Sequence, residues 1–301
     1  MNEFELIDVI VAELGDAAGG DWVRTGPGDD AAVSAAPPGT ELVSTVDALV
    51  ADVHFPATAG AELIGYRALM VSVSDLAAMG ADPGFALVAL CLPSGDPDWL
   101  RALARGIGRA ARVSGVAIVG GNLARGPLSI AVSAHGFVPA GRALLRSGAR
   151  AGDDVYVTGS LGGAAAALAR GGLERCADEE DLDDLSRRYF LPTARISTGL
   201  ALRGFASSAI DLSDGLLQDL GHVGRASGVG FDLEAEWVPV AAGATLEQAL
   251  TGGDDYELAF TGRGPLPPLP VPARRIGRVT AETGVRLDGR PAAGGYRHFD
   301  A

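Results

Sequence analysis

Eight aspartates stand in apolar or glycine-rich settings where a lone carboxylate is costly. Asp29 and Asp30 lie in Gly-Pro-Gly-Asp-Asp-Ala-Ala-Val, and Asp47 closes Glu-Leu-Val-Ser-Thr-Val-Asp. Asp75 sits in Val-Ser-Val-Ser-Asp-Leu-Ala-Ala-Met-Gly, Asp211 and Asp214 in Ile-Asp-Leu-Ser-Asp-Gly-Leu, and Asp254 and Asp255 in Gly-Gly-Asp-Asp-Tyr-Glu-Leu. Such groups need partners, and the chain offers no lysine: all 24 of its basic residues are arginine. Hard cations bound through oxygen resolve the difficulty, and magnesium in particular takes a few carboxylates, waters and substrate phosphates. Any single Asp of this set serves equally well as a helix cap or turn residue, Asp214 before Gly215 above all. Their recurrence at separate element ends favours a metal-assisted site.

The missing lysine excludes a Walker-type P-loop and the protein-kinase lysine. Phosphate chemistry here must rely on arginine, helix N-termini and metal ions. Two glycine-rich turns, Val119-Gly120-Gly121-Asn122 and Thr158-Gly159-Ser160-Leu161-Gly162-Gly163, each follow an expected strand, and the second opens a helix, where backbone N–H groups favour phosphate. In a chain with 43 glycines such turns are common. Arg142, Arg146 and Arg150 form a basic stretch that is either a solvated face or a set of phosphate contacts. His54, before Phe55-Pro56, and Tyr296, in the terminal Gly-Gly-Tyr-Arg-His-Phe, read as packing residues or as contacts to a flat ring. A net charge of −14 argues against a nucleic-acid partner. Cys91 and Cys176 are too few and too far apart for a disulfide framework or zinc site. Neither a long apolar span nor a secretory leader is evident, so a cytoplasmic protein with no membrane partner is expected.

The elements that must position these residues follow from periodicity. Helices are expected over 4–14, 59–79, 97–113, 161–170, 179–189, 194–202 and 215–227. Strands are expected over 41–46, 85–92, 116–119, 128–138, 155–158, 257–260 and 275–279, with another near 231, and 209–212 is a short apolar run. The 15–30 and 264–273 segments read as loops. The first half alternates strands and helices but closes on adjacent strands. The fold class is therefore α+β, with an N-terminal mixed sheet carrying helices on one face and a C-terminal α/β domain. The Pro-Ala-Gly turn near 139–141 marks the boundary between residues 1–139 and 140–301.

Taken together, the blocks resemble the thiamine-monophosphate kinase family of the aminoimidazole-ribonucleotide synthetase-like superfamily. The resemblance runs nearly end to end: Gly28-Asp29-Asp30-Ala31-Ala32, Asp47-Ala48-Leu49-Val50 with His54-Phe55, Ser74 to Ala81, Gly120-Gly121-Asn122, Gly141 to Ala149, Ile210 to Leu216, Gly252 to Leu258, and Gly295-Tyr296-Arg297-His298-Phe299. It implies a two-domain synthetase-like fold, a homodimer, and ATP-dependent phosphorylation of thiamine monophosphate to thiamine diphosphate by direct in-line transfer, with no catalytic base. Several Mg2+ ions would be held by Asp30, Thr45, Asp47, Asp75, Asn122, Asp211 and Asp214, and ATP by Gly121, Asn122, Arg146 and Ser213. His54, Glu257 and Tyr296 match the substrate-binding positions. Two departures stand out: Asn122 where the family often has Asp, and Asp254 where it usually has Glu. The alternative is another ATP-dependent enzyme of the same superfamily, although the reactive N-terminal Cys and Lys of its selenophosphate-making members and the terminal cysteine of its hydrogenase-maturation members are missing.

Overall fold

The computed structural model describes residues 2–296. Along the chain run α1 (Glu3–Leu14), β1 (Val23–Thr25), β2 (Val33–Ser34), β3 (Thr40–Val50), α2 (Ala61–Ala78), β4 (Asp82–Leu92), α3 (Pro97–Ser114), β5 (Ala117–Arg125) and β6 (Ser129–Pro139). There follow β7 (Asp154–Thr158), α4 (Gly163–Arg170), α5 (Asp184–Phe190), α6 (Ile196–Leu202), β8 (Ala206–Asp211), α7 (Leu216–Ser227), β9 (Gly230–Leu233), α8 (Leu246–Thr251), β10 (Leu258–Gly262), β11 (Ala273–Thr280), β12 (Gly284–Leu287) and β13 (Arg290–Pro291). Short 3-10 turns lie between them.

One sheet has the order β3-β6-β4-β5, and a second has the order β13-β12-β9-β11-β7-β10-β8. In the first, only β4 and β5 are parallel; in the second, only β9 and β12. β3 and β6 pair in unbroken register from Thr40↔Pro139 to Val50↔Ser129. Period-2 alternation turns Val43, Thr45, Asp47 and Leu49 toward the helices and leaves Leu42, Ser44, Val46 and Ala48 outside. The helices cover one face only. α2 is apolar nearly all round, and Ile64, Leu69, Met70, Val73 and Leu76 are all buried. Such a helix must be enclosed, and the largest core accordingly joins it to the sheet, to α3, and to Ala164, Ala167, Tyr189 and Phe190 from the later helices. α3 has stronger local signals. Asp96 accepts from the Asp98 amide at 2.9 Å, Pro97 occupies the first turn, and Gly115 ends it in left-handed conformation.

Several sequence-based expectations shift. The strand expected over 116–119 continues to Arg125, so Gly120-Gly121-Asn122 is not a turn but lies in β5, with Asn122 opposite Ala89. Glycine is needed there because a Cβ on Gly121 would stand 1.9 Å from the Val88 carbonyl oxygen. The helix expected over 179–189 divides into a 3-10 turn, Glu179–Asp181, and α5, because Asp183 caps a fresh start by accepting from the Ser186 amide at 2.9 Å. Periodicity gave no signal for β1, β2, α8, β12 or β13, each of them six residues or shorter.

Candidate active site

Three elements meet around a cleft of about 420 Å3. β3 brings Asp47 on its helix-facing side, and α2 brings Asp75. β8 ends at Asp211 and leads through Leu212 and Ser213 to Asp214 at the start of α7. The turn after β3 adds His54. The terminal segment adds Tyr296, whose amide donates to the Asp214 carbonyl at 2.9 Å while Gln218 Nε2 donates to the Tyr296 carbonyl at 2.7 Å. His54 Nδ1 accepts from the Val50 amide at 3.0 Å, which puts the proton of a neutral ring on Nε2.

The carboxylates lie close enough to repel. Burial, then Asp75, pushes Asp47 up to about 6. Asp211 is 4% exposed and is raised well above the usual carboxylate range by burial first and Asp75 second. Thr45 Oγ1 donates to Asp75 Oδ2. Arg67 is the one arginine among the described lining residues, and it is committed to Asp254 at 2.7 Å. Crowded, mutually repelling, oxygen-only donors without a cationic side chain of their own fit a hard divalent cation. The chemistry of Asp47, Asp75, Asp211 and Asp214 therefore suits a magnesium ion.

The structure thus brings together Asp47, His54, Asp75, Asp211, Ser213, Asp214 and Tyr296, with Thr45 held through Asp75. It places the other expected residues elsewhere. Asp30 is exposed on the β1–β2 loop, its amide donating to Asp29 Oδ1 at 2.8 Å. Gly121 and Asn122 are exposed on the opposite edge of the four-stranded sheet from β3. Arg146 is exposed in the segment after β6, where its carbonyl accepts from Ser227 Oγ at the end of α7 at 3.1 Å. Glu257 is 2% exposed and turned into the protein, where Arg195 binds both of its oxygens and Thr158 Oγ1 donates to Oε2 at 2.6 Å. Of the terminal block only Gly295 and Tyr296 fall among the described residues; Arg297, His298 and Phe299 lie outside them.

Two residues escaped the sequence reading. Asp219 accepts from the Asp214 and Gly215 amides at 3.2 and 3.1 Å and so fixes the turn that presents Asp214. Burial, then Asp214, pushes it up to about 7. Its signal was an acidic residue in the first turn of a helix. Arg67 lies four and eight residues before Val71 and Asp75, on one face of α2; that spacing was the available clue.

The family description "AIR synthase related protein, N-terminal domain" matches residues 28–138. The thiamine-monophosphate kinase of Salmonella typhimurium is 43% identical, with 92% of each chain covered. The crystal structure of thiamine-monophosphate kinase from Stenotrophomonas maltophilia K279a superposes with a TM-score of 0.85 at 38% identity, over 97% of this chain and 98% of that one. AaThiL complexed with AMPPCP and TMP gives a TM-score of 0.79 at 31% identity, over 99% and 97% of the two chains. Hydrogenase maturation protein HypE of E. coli, at 20% identity and a TM-score of 0.74, shares the fold alone. With identity at this level over nearly the whole chain, a two-domain α+β fold in common, and the acidic cleft at its centre, this chain belongs to the thiamine-monophosphate kinase family.

Proposed function

We propose that the protein transfers the γ-phosphoryl group of ATP to the phosphate of thiamine monophosphate, giving thiamine diphosphate and ADP. The observation that carries this reading is the gathering of half-buried Asp47 and Asp75 and buried Asp211 around one cleft that His54 and Tyr296 also line. Bound Mg2+ would supply charge neutralisation and alignment of the two phosphates. The protein's own residues do the rest. Asp47, Asp75, Asp211 and Asp214 hold the ions, and the Thr45 hydroxyl fixes the Asp75 carboxylate. His54 Nε2–H is a donor for the acceptor phosphate, and the half-exposed Tyr296 ring offers a flat apolar face to an aromatic acceptor. A phosphate oxygen is already ionised at neutral pH, so in-line transfer needs positioning more than a general base.

The same reading makes the protein a cytoplasmic homodimer. On the uncovered sheet face Leu42, Val46 and Leu87 are 55%, 67% and 38% exposed, a surface suited to a second copy. β3 and β5 stand three strand steps apart, roughly 14 Å, so Gly121 and Asn122 serve a nucleotide best at a site shared between copies. Asp30 and Arg146 would join the nucleotide and its ions from the rim. No described helix is long and apolar enough to cross a membrane, and the unpaired Cys91 and Cys176 suit a reducing compartment.

The test is incubation with ATP, Mg2+ and thiamine monophosphate, followed by separation of the thiamine phosphates. Thiamine diphosphate forming only with both ATP and Mg2+ supports the reading. A folded protein that binds ATP but makes none from this acceptor would overturn it in favour of another acceptor.

A further inference from the structure

One buried guanidinium ties together three separate segments at the wall of the cleft. Arg67 is 2% exposed. Its Nη1 donates to the Tyr189 carbonyl at 2.7 Å, Nη2 to Asp254 Oδ1 at 2.7 Å, and Nε to the His54 carbonyl at 3.3 Å. The guanidinium also lies over the Tyr189 ring, 4.1 Å from its centroid, and the Tyr189 hydroxyl donates to the same His54 carbonyl at 2.8 Å. A side chain so fully engaged holds structure in place and has little left to offer a ligand.

The segment it holds on the far side is strained. Asp254 and Tyr256 have φ of +66° and +49°, left-handed backbone that residues with side chains occupy only when their surroundings hold them there. Those surroundings are identifiable. The Asp254 amide donates to the Ser213 carbonyl at 2.9 Å and the Tyr256 amide to the Leu212 carbonyl at 2.8 Å. The Tyr256 hydroxyl donates to Asp254 Oδ1 at 2.8 Å, the oxygen that Arg67 also binds. The pair thus joins residues 187 apart in sequence. It locks the His54 turn to the loop that backs Ser213 and Asp214.

We propose that Arg67 and Asp254 are a positioning pair for the acceptor substrate, holding His54 at a fixed distance from the metal-binding carboxylates. This rests on the phosphoryl-transfer reading above. The Ser213–Asp214 turn is held independently by the Asp219 carboxylate, whereas the His54 carbonyl is held through Arg67, so loosening the pair moves the acceptor's contact and leaves those of the nucleotide in place.

Arg67→Lys keeps the charge but loses the fork, and Asp254→Asn keeps the shape but loses the charge. Each is expected to raise KM for thiamine monophosphate about tenfold while KM for ATP stays within about twofold, as expected when one reactant is misplaced. The double variant should cost no more than the worse single one. Hydrogen exchange supplies a readout independent of turnover: amides of residues 50–55 should exchange faster in Asp254→Asn, and those of α3 should not. Equal rises in both KM values, or a lowered melting temperature with unchanged KM values and unchanged exchange at 50–55, would overturn the proposal. If Arg67→Lys does not fold, Asp254→Asn decides alone. If the wild-type protein makes no thiamine diphosphate, the functional reading falls, and exchange at 50–55 still decides whether the pair holds the turn.

Discussion

At the scale of single residues, burial and charge sort the carboxylates into two kinds. Glu257 is buried with its counter-charge, Arg195, around it, and the loss of either partner would strand the other. Asp211 is as deeply buried but faces Asp75 and Asp47, an arrangement that costs stability without a bound cation. Asp211→Asn is therefore expected to raise the melting temperature of the metal-free protein. The same change should lower turnover by about 10²–10³-fold, the usual scale for losing one group that stabilises transferring charge. Thermal melts in EDTA beside steady-state rates check this. A variant that loses both stability and activity would make Asp211 a structural residue. The aspartates were legible as a set because each stood in an unfriendly sequence context. Asp219 and Arg67 were not, since a polar residue on a helix looks solvated until the neighbours that bury it are known.

At the scale of elements, α2 is the piece everything leans on. It carries Asp75, Arg67 and Val71 on its cleft face and packs its opposite side on α3. The two helices approach so closely that a Cβ on Gly106 would lie 2.0 Å from the Glu62 carbonyl oxygen. Gly106→Ala should force them apart and destabilise the protein by about 1–3 kcal/mol, the usual cost of overpacking, despite alanine's better helix propensity. Chemical denaturation measures it directly; unchanged or increased stability would mean that α3 shifts without loss. The 3.6-residue pattern gave α2 and α3 nearly to their ends, because long amphipathic or capped segments signal strongly. β12 and α8 were not legible because their stability comes from partners well separated in the chain, β9 for the strand and α4 and α7 for the helix, and β13 is only a two-residue pairing on β12.

At the scale of the whole molecule, the acidic cleft should couple stability to pH and to metal. Asp47 and Asp219 hold protons more tightly folded, up to about 6 and about 7, than at their ordinary value of 3.8. A raised carboxylate favours the folded state when protonated, so the metal-free protein should lose stability as pH climbs from about 4 to about 7. The net charge of −14 acts in the same direction. Mg2+ should then raise the melting temperature more at pH 8 than at pH 5, because only ionised carboxylates bind it. Melting curves at both pH values, with EDTA or Mg2+, test the coupling; a Mg2+ effect that is absent, or larger at pH 5, would contradict it.

The sequence by itself determined the chemistry available to this protein. Eight aspartates in apolar or glycine-rich stretches and a complete lack of lysine already favoured oxygen-ligated cations and excluded a P-loop, because those conclusions depend on residue type and local context alone. The ordered blocks carried the family. What only the tertiary structure decided was which residues meet. Asp47, Asp75 and Asp211 are separated by long stretches of chain and converge because β3, α2 and β8 pack together. Asn122 stays on the far edge strand, Glu257 turns inward to Arg195, and Arg67 reaches Asp254. Distances of that kind are set by strand order and helix packing, which non-local contacts fix and no local pattern encodes.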